Sequence, residues 1–277
     1  MTVLRVVIDV FREAFARKTI LALFGFILLA LVVLALALDL DVVQGALVAG
    51  RLFGSSLMGD AGSAEEQLRP VFKAVTGAVF HLGIVFGVVS MSSIAAQLLA
   101  PGRVELLLSL PVRRWELVAG TWCGVVAIAL LAATFAIGGF SAVLFYKAGF
   151  FSFAPIIGAA CAAVGFMAVY AVMLFATTVV RSASVASGAG LGLYLLALLT
   201  SDRDTFVSWF SGETMRTIVT VLIAPLPRLK TLAAIGMDAA AADAWQFMEL
   251  AGVVAGTLAF AAGCVAAAAW VVSGRDY

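Results

Sequence analysis

The stretch "AGFFSFAPIIGAACAAVGFMAVYAVMLFATTVV", residues 148–180, holds no charged side chain between Lys147 and Arg181. An α-helix rises about 1.5 Å per residue, so ~20 apolar residues cross the hydrocarbon core of a bilayer, which is about 30 Å thick. Only helices or closed barrels satisfy every backbone hydrogen bond in lipid, and this run is too long for a barrel strand. The stretch therefore predicts a membrane-spanning helix.

The whole chain has the composition of an integral membrane protein. Of its 277 residues, 64% are hydrophobic and 12% are charged, and the mean hydropathy is +1.15. Soluble domains are roughly 45–50% apolar and about 25% charged. The chain therefore cannot bury its apolar surface in one soluble core. Its formal net charge of +1 argues against a nucleic-acid partner.

Further runs without Asp, Glu, Lys or Arg predict an all-α protein with six spanning helices in one transmembrane domain, residues 1–277. Among these runs, only one contains a histidine, His81. The first run is expected to be a retained helix and not a cleaved signal peptide. The 18 residues before it are too long and too mixed in charge for the basic n-region that begins a signal peptide. The predicted spans lie near residues 19–38, 74–100, 117–146, 155–180, 182–201 and 250–274.

An even number of spans places both termini on the same side of the membrane. If that side is the cytoplasm, basic residues are about twice as dense in the inner segments as in the outer ones, as the positive-inside rule expects. The chain is therefore expected to be a multi-pass protein of a bacterial cytoplasmic (inner) membrane, with both termini cytoplasmic. The inverted topology remains the alternative.

The predicted extracytoplasmic segment, residues 202–249, runs through "TIVTVLIAPLPRLKTLAA". Its eleven charge-free residues 217–227 are too few to span the membrane, and Pro225 and Pro227 end the helix. A half-inserted or interfacial segment is therefore expected.

The first 18 residues, "MTVLRVVIDVFREAFARK", predict an amphipathic helix. Leu4, Ile8, Phe11 and Phe15 recur at helical spacing, and the charged residues gather on another face. Such a helix is typical of the membrane interface. A cytoplasmic helix packed on a partner protein is the alternative.

The few polar residues in the spans argue against a catalytic site in this chain. The three cysteines are isolated, no HExxH is present, and His81 reads either as a hydrogen-bonded packing residue or as a ligand. Spans without carboxylates also disfavour an ion-coupled transporter. No GxxxxGK[ST] occurs, so any ATP must be hydrolysed by another subunit. We expect no catalytic, metal or cofactor site; a membrane enzyme would need a polar cluster around His81.

The stretch "PGRVELLLSLPVRRWEL" (101–117), which follows the second predicted span, has a different pattern. Pro101 and Gly102 break the span, and Pro111 ends a short helix, because the residue before a proline disfavours the α conformation. Arginines and a tryptophan then anchor the next span at the interface. The pattern fits either a plain interfacial connector or a segment on which an ATP-hydrolysing subunit acts.

The stretch "GRVELLLSLPVRRWELVAG" (102–120) resembles the signature of ABC-2-type transporter permeases, which reads roughly G-T-[LI]-E-L-L-L-S-x-P-[VL]-S-R-x-[EQ]. "FREAFARK" (11–18) is similar to the start of these permeases, and "LPRLKTLA" (226–233) to their outer motif. Within the family, the chain looks most like permeases of the nitrous-oxide-reductase and cytochrome-maturation kind. The residues that match the signature are Gly102, Glu105, Leu106, Leu107, Leu108, Ser109, Pro111, Arg114 and Glu116.

The resemblance implies a coupling helix, residues 101–116, that docks on an ATP-binding subunit, and an elbow helix, residues 1–18, in the interface. ATP and magnesium would be bound by that subunit, and two permease halves would form the complex. The docking residues it implies are Gly102, Arg103, Glu105, Leu107, Leu108, Pro111, Arg113, Arg114 and Glu116. The elbow residues are Arg5, Phe11, Arg12, Phe15, Arg17 and Lys18.

Two departures from the family pattern leave the second permease open between an identical and a different chain. Members of the family usually have acidic residues just before the glycine, and this chain has none in "AQLLAPG". Arg103 stands where the family has threonine, and Thr121 where it has lysine. The expected function is the permease subunit of an ATP-driven exporter, in contact with membrane lipids. The alternative is a membrane subunit that moves no substrate and transmits ATP-driven motion to an extracytoplasmic partner.

Overall fold

The computed structural model describes residues 2–43, 46–52, 55–56, 64–97, 113–148, 155–241 and 246–274. These residues form ten helices and three short strands. The helices are α1 (Thr2–Ala16), α2 (Thr19–Ala37), α3 (Ala64–Gln97), α4 (Arg114–Ala148), α5 (Pro155–Val179), α6 (Ala183–Leu199), α7 (Arg203–Ser208), α8 (Glu213–Ile223), α9 (Leu229–Ala240) and α10 (Phe247–Ser273).

The strands form a small antiparallel sheet that the sequence analysis did not predict. They are β1 (Leu38–Val43), β2 (Ala46–Leu52) and β3 (Ser55–Ser56), and they are ordered β1-β2-β3. Leu38 is opposite Leu52, and the register shifts between Asp41 and Val42. The sheet continues directly from the end of α2, and Leu38 at its start is buried against α3 and α4.

Five of the described helices, α2, α3, α4, α5 and α10, are long and apolar enough to cross a membrane. The chain is therefore an integral membrane protein with an all-α membrane part. The remaining predicted span corresponds to α6, a shorter apolar helix of 17 residues. The second predicted span begins earlier than expected, because α3 starts at Ala64.

Helix α5 is the most buried of the five spans and packs against α3, α4, α6, α9 and α10. Its glycines permit this close packing. A Cβ atom added at Gly158 would lie 2.1 Å from Cγ2 of Thr76 and 3.2 Å from the carbonyl oxygen of Gly236. Helices α3 and α9 therefore approach the α5 backbone itself, as is common where small residues line helix contacts in membranes.

Helix α9 belongs to the bundle although it lies in the segment predicted to be extracytoplasmic. Its buried residues are Leu229, Leu232, Ala233, Ile235, Gly236, Ala239 and Ala240. At its carboxyl end, Ala240 joins an apolar cluster that contains Leu38 of β1, Phe72 of α3 and Phe140 of α4. Helix α9 is thus packed among the spans, and not laid over them.

Substitution of Gly158 tests the close packing of α5. Because the added Cβ atom meets backbone as well as side chain, we expect Gly158→Ala to destabilise the bundle by about 1–3 kcal/mol. The control is Gly138→Ala on α4, where a Cβ atom meets nothing within 4 Å, so a gain of up to ~1 kcal/mol from helix propensity is expected. Thermal unfolding of the detergent-solubilised protein measures both, and equal melting temperatures would contradict the packing described.

Candidate functional site

One end of the bundle carries the last residues, 113–116, of the predicted coupling helix. Helix α4 begins at Arg114, so this residue and Glu116 lie in its first turn. The Arg113 backbone N–H donates to Oε2 of Glu116 at 3.0 Å, and the Glu116 N–H donates to the Arg113 carbonyl oxygen at 2.9 Å. This reciprocal cap fixes the point at which the chain enters α4.

The two neighbouring arginines at this point face different surroundings. Arg114 is half-buried, and its guanidinium donates to the carbonyl oxygen of Ser273 at 3.0 Å and to that of Val272 at 3.5 Å. Arg114 therefore ties the start of α4 to the end of α10, where a cation also complements the helix dipole. Arg113 is exposed, so its side chain is accessible to a partner protein.

Helix α1 docks on the same part of α4 through two glycines in a GxxxG arrangement. A Cβ atom added at Gly120 would lie 2.7 Å from Cβ of Val6, and one added at Gly124 would lie 2.9 Å from Cβ of Val10. Both valines are buried, as is Ala14 one turn further on. The predicted amphipathic helix thus has a third, buried face that the sequence analysis did not identify.

The predicted elbow residues lie on the faces of α1 that α4 leaves uncovered, or at its end. Arg5, Arg12, Phe15, Arg17 and Lys18 are exposed, and Phe11 is partly buried against the core. Nε of Arg17 donates to Oε1 of Glu13 at 3.2 Å. Lys18 has a left-handed backbone, with φ of 59°, which turns the chain from α1 into α2.

The rest of the predicted docking segment lies outside the described residues. These positions are Gly102, Arg103, Glu105, Leu107, Leu108 and Pro111. Of the predicted docking residues, the structure therefore places Arg113, Arg114 and Glu116, all at the start of α4.

At the other end of the bundle, two ion pairs hold α9 in place. Nζ of Lys73 on α3 lies 2.8 Å from Oδ1 of Asp238. Lys230 pairs with Asp202, which precedes α7, and the Lys230 backbone N–H donates to Oγ of Ser201 at 3.2 Å. All four charged side chains are well exposed, so each pair contributes little net stability and serves mainly to position α9.

His81 contacts Tyr194 across the interface between α3 and α6. Nδ1 of His81 lies 2.6 Å from the Tyr194 hydroxyl oxygen, and the ring of Phe80 packs edge-on against the imidazole. No group of three His, Cys, Asp or Glu side chains that could hold a metal occurs among the described residues. The Tyr194 hydroxyl is a hydrogen-bond partner of Nδ1, so the pair fits the packing role that was one of the two readings of His81.

Comparison with known families identifies the chain. A model of the "ABC-2 family transporter protein" family, a membrane component, matches residues 11–206. The chain belongs to the ABC-2 transporter family. Its identification as an ABC-2-type permease is therefore confirmed, whereas the nitrous-oxide-reductase subtype stays a prediction. No curated protein and no solved structure matches the chain significantly.

Membership of this family implies an ABC ATP-binding subunit as partner, and permeases of the family are typically dimeric. The family is generally non-catalytic. The end of the permease that carries Arg113 and α1 is therefore the candidate functional site.

The sequence patterns did not predict the docking of α1 on α4 or the contact between His81 and Tyr194. A sequence signal exists for the first and not for the second. Gly120 and Gly124 stand four residues apart in an apolar run, a spacing typical of close helix contacts, and could have indicated the docking of α1. The pairing of His81 with Tyr194 joins residues 113 positions apart, and no local pattern marks it.

Substitution of Gly124 tests the docking of α1. A leucine there would overlap Val10, so we expect Gly124→Leu to release α1 and speed amide exchange in residues 2–16 by roughly tenfold or more. The control is Gly25→Leu on α2, where an added Cβ atom meets nothing within 4 Å. Hydrogen–deuterium exchange with mass spectrometry measures both, and unchanged exchange in α1 would refute the contact.

Removal of the Tyr194 hydroxyl tests the contact with His81. Interhelical hydrogen bonds in membranes average roughly 0.6 kcal/mol, so Tyr194→Phe should lower the free energy of unfolding in mixed detergent by about that amount. The matched control is Tyr146→Phe, because Tyr146 is 87% exposed. Equal losses in the two variants would show that the hydroxyl contributes nothing to the packing of α3 on α6.

Proposed function

We propose that this permease moves substrate out of the cell, driven by ATP that a separate ABC subunit binds with magnesium and hydrolyses. Residues 101–116 would dock on that subunit. The observation that supports the proposal is the position of Arg113, which is exposed within this segment, directly before a capped helix start. The permease itself would need no cofactor.

The proposed topology has six spans, with α6 as the fifth in chain order and both termini in the cytoplasm of the bacterial inner membrane. The 17 residues of α6 extend about 26 Å, slightly less than the hydrocarbon core. Helix α1 would lie in the inner interface as the elbow. This placement is supported by the exposure of Leu4 (63%), Ile8 (44%) and Phe15 (59%), which would then contact lipid.

Coupling requires that the ATP-bound and ATP-free motors differ in their contacts with the permease, because only a differential contact shifts a conformational equilibrium. The first turn of α4 is well placed to receive such a shift. It is capped by Glu116 and held to α10 by Arg114, and α1 covers the following turn at Gly120. A displacement of residues 101–116 would therefore move α4, α1 and α10 together. A second permease chain, identical or different, would complete the substrate path.

A second candidate function is a non-transporting subunit that passes motor-driven movement to an extracytoplasmic partner. It is favoured by the helical hairpin α7–α8, residues 203–223, which is exposed along almost its whole length. The exposed apolar side chains of this hairpin are Trp209, Met215, Ile218, Val221 and Leu222. An output surface for such a partner would need accessible apolar groups of this kind.

The first experiment separates docking from folding by reversing one arginine at a time. The permease is co-purified in detergent with the ATP-binding subunit encoded nearest to it. Arg113→Glu should abolish retention of that subunit and leave the melting temperature unchanged, because the Arg113 side chain is exposed. Arg114→Glu should lower the melting temperature, because it removes the hydrogen bond to the Ser273 carbonyl oxygen.

The conservative variant Arg113→Lys, which keeps the charge, is the control and should retain the motor. Retention of the motor by Arg113→Glu would contradict the docking role of this residue. If even the wild-type chain retains no ATP-binding subunit, residues 101–116 are a connector and the proposed coupling is wrong. Reconstituted complexes that hydrolyse ATP without moving substrate would favour the second candidate.

A further inference from the structure

A wide groove runs along one side of α10, at the end of the bundle that holds the α7–α8 hairpin. Its volume is about 850 Å³. One wall is the face of α10 from Met248 to Cys264, and the other is the turn 224–228 together with Arg203. Drug-sized ligands occupy pockets of roughly 300–1,000 Å³, so the groove is large enough for a substantial ligand.

The α10 wall of the groove is apolar, with open space beside its glycines. Gly252, Gly256 and Gly263 line it, and a Cβ atom added at any of the three would meet nothing within 4 Å. The one hydroxyl in the α10 wall, that of Thr257, donates to the Val253 carbonyl oxygen at 2.8 Å and needs no further partner. Because α10 is a candidate membrane span, this wall continues into the hydrocarbon region.

The mouth of the groove carries two neighbouring guanidinium groups. Nη2 of Arg203 donates to the Ala224 carbonyl oxygen at 2.8 Å, which directs this side chain across the base of the hairpin. Burial lowers the pKa of Arg203, and the positive charge of Arg228 lowers it further. Among the described residues, the Arg228 side chain has no hydrogen-bond or ion-pair partner. Glu249 is the one carboxylate among the described lining residues, so these residues give the mouth an excess positive charge.

We propose that the groove binds an anionic phospholipid, with its phosphate between Arg203 and Arg228 and an acyl chain along Gly252, Gly256 and Gly263. Guanidinium groups hold phosphate oxygens through charge-assisted hydrogen bonds, which are stronger than neutral ones. An anion there relieves the repulsion between the two arginines, and an acyl chain covers the glycines. The surrounding bilayer supplies both parts of this ligand. The proposal does not depend on the ATP-binding subunit.

The test measures lipid retained by the purified full-length chain in detergent. The chain is delipidated, incubated with equal amounts of phosphatidylglycerol and phosphatidylcholine, and analysed by native mass spectrometry. The wild type should retain phosphatidylglycerol preferentially. The double variant Arg203→Ala/Arg228→Ala should show a roughly tenfold lower ratio of bound phosphatidylglycerol to phosphatidylcholine, because two charge-assisted hydrogen-bonding groups are lost. Arg216→Ala is the control, since Arg216 is in the same hairpin and outside the groove lining.

A second pair of variants guards against misfolding of the arginine variant. Gly256→Leu should fill the groove and abolish retention of both lipids with the arginines intact. Gly138→Leu, on an open face of α4, should leave retention unchanged. Both leucine variants should fold, because neither position has a neighbour within 4 Å of the added Cβ atom.

Three outcomes would overturn the proposal. The first is an equal lipid ratio in the wild type and the double arginine variant. The second is displacement of phosphatidylglycerol by millimolar inorganic phosphate, which would identify a free-anion site. The third is an efficient disulfide between two copies of a variant that keeps only Cys264, which would show that a second copy covers the groove.

Discussion

Helix α5 can occupy the centre of the bundle only because small residues let its neighbours approach its backbone. Lipid tails are as apolar as leucine, so burial of apolar area does not drive spans together, and close contact must do so. Gly158 meets Thr76 and Gly236, and Gly165 faces Phe80 and Ile84. Through these contacts α5 supports α3 and α9 at once, and the remaining spans are arranged around that core.

The position of α9 follows from this packing. A segment between two spans enters the bundle only if its apolar face finds neighbours and its charges stay at the rim. Helix α9 meets both conditions, since Gly236 contacts α5 while Lys230 and Asp238 form ion pairs at exposed positions. The turn 224–228 leads directly into α9. It lies opposite α10, and together with Arg203 it lines the groove.

Sequence patterns predicted the five helices that are long and apolar enough to cross a membrane, because the cost of a charge in hydrocarbon is visible in any window of about 20 residues. They predicted a coupling helix up to residue 116 and a span from about residue 117, whereas α4 begins at Arg114. They gave no sign of the β1-β2-β3 sheet or of the burial of α9, which depends on Gly158 some 70 positions earlier in the chain. The different surroundings of Arg113 and Arg114 were equally hidden, because only Arg114 belongs to α4 and its hydrogen bonds reach the distant end of α10.

That difference decides how a motor could act on this permease. If both arginines faced outward, the docking surface could move without the helices behind it. Instead, Arg114 joins the start of α4 to the carboxyl end of α10, while α10 at its other end forms a wall of the groove. Under the proposed coupling, a displacement of the segment before Arg113 would be passed through Arg114 to α10. Such a route needs no charged residue in the membrane interior, which fits spans that are almost free of charge.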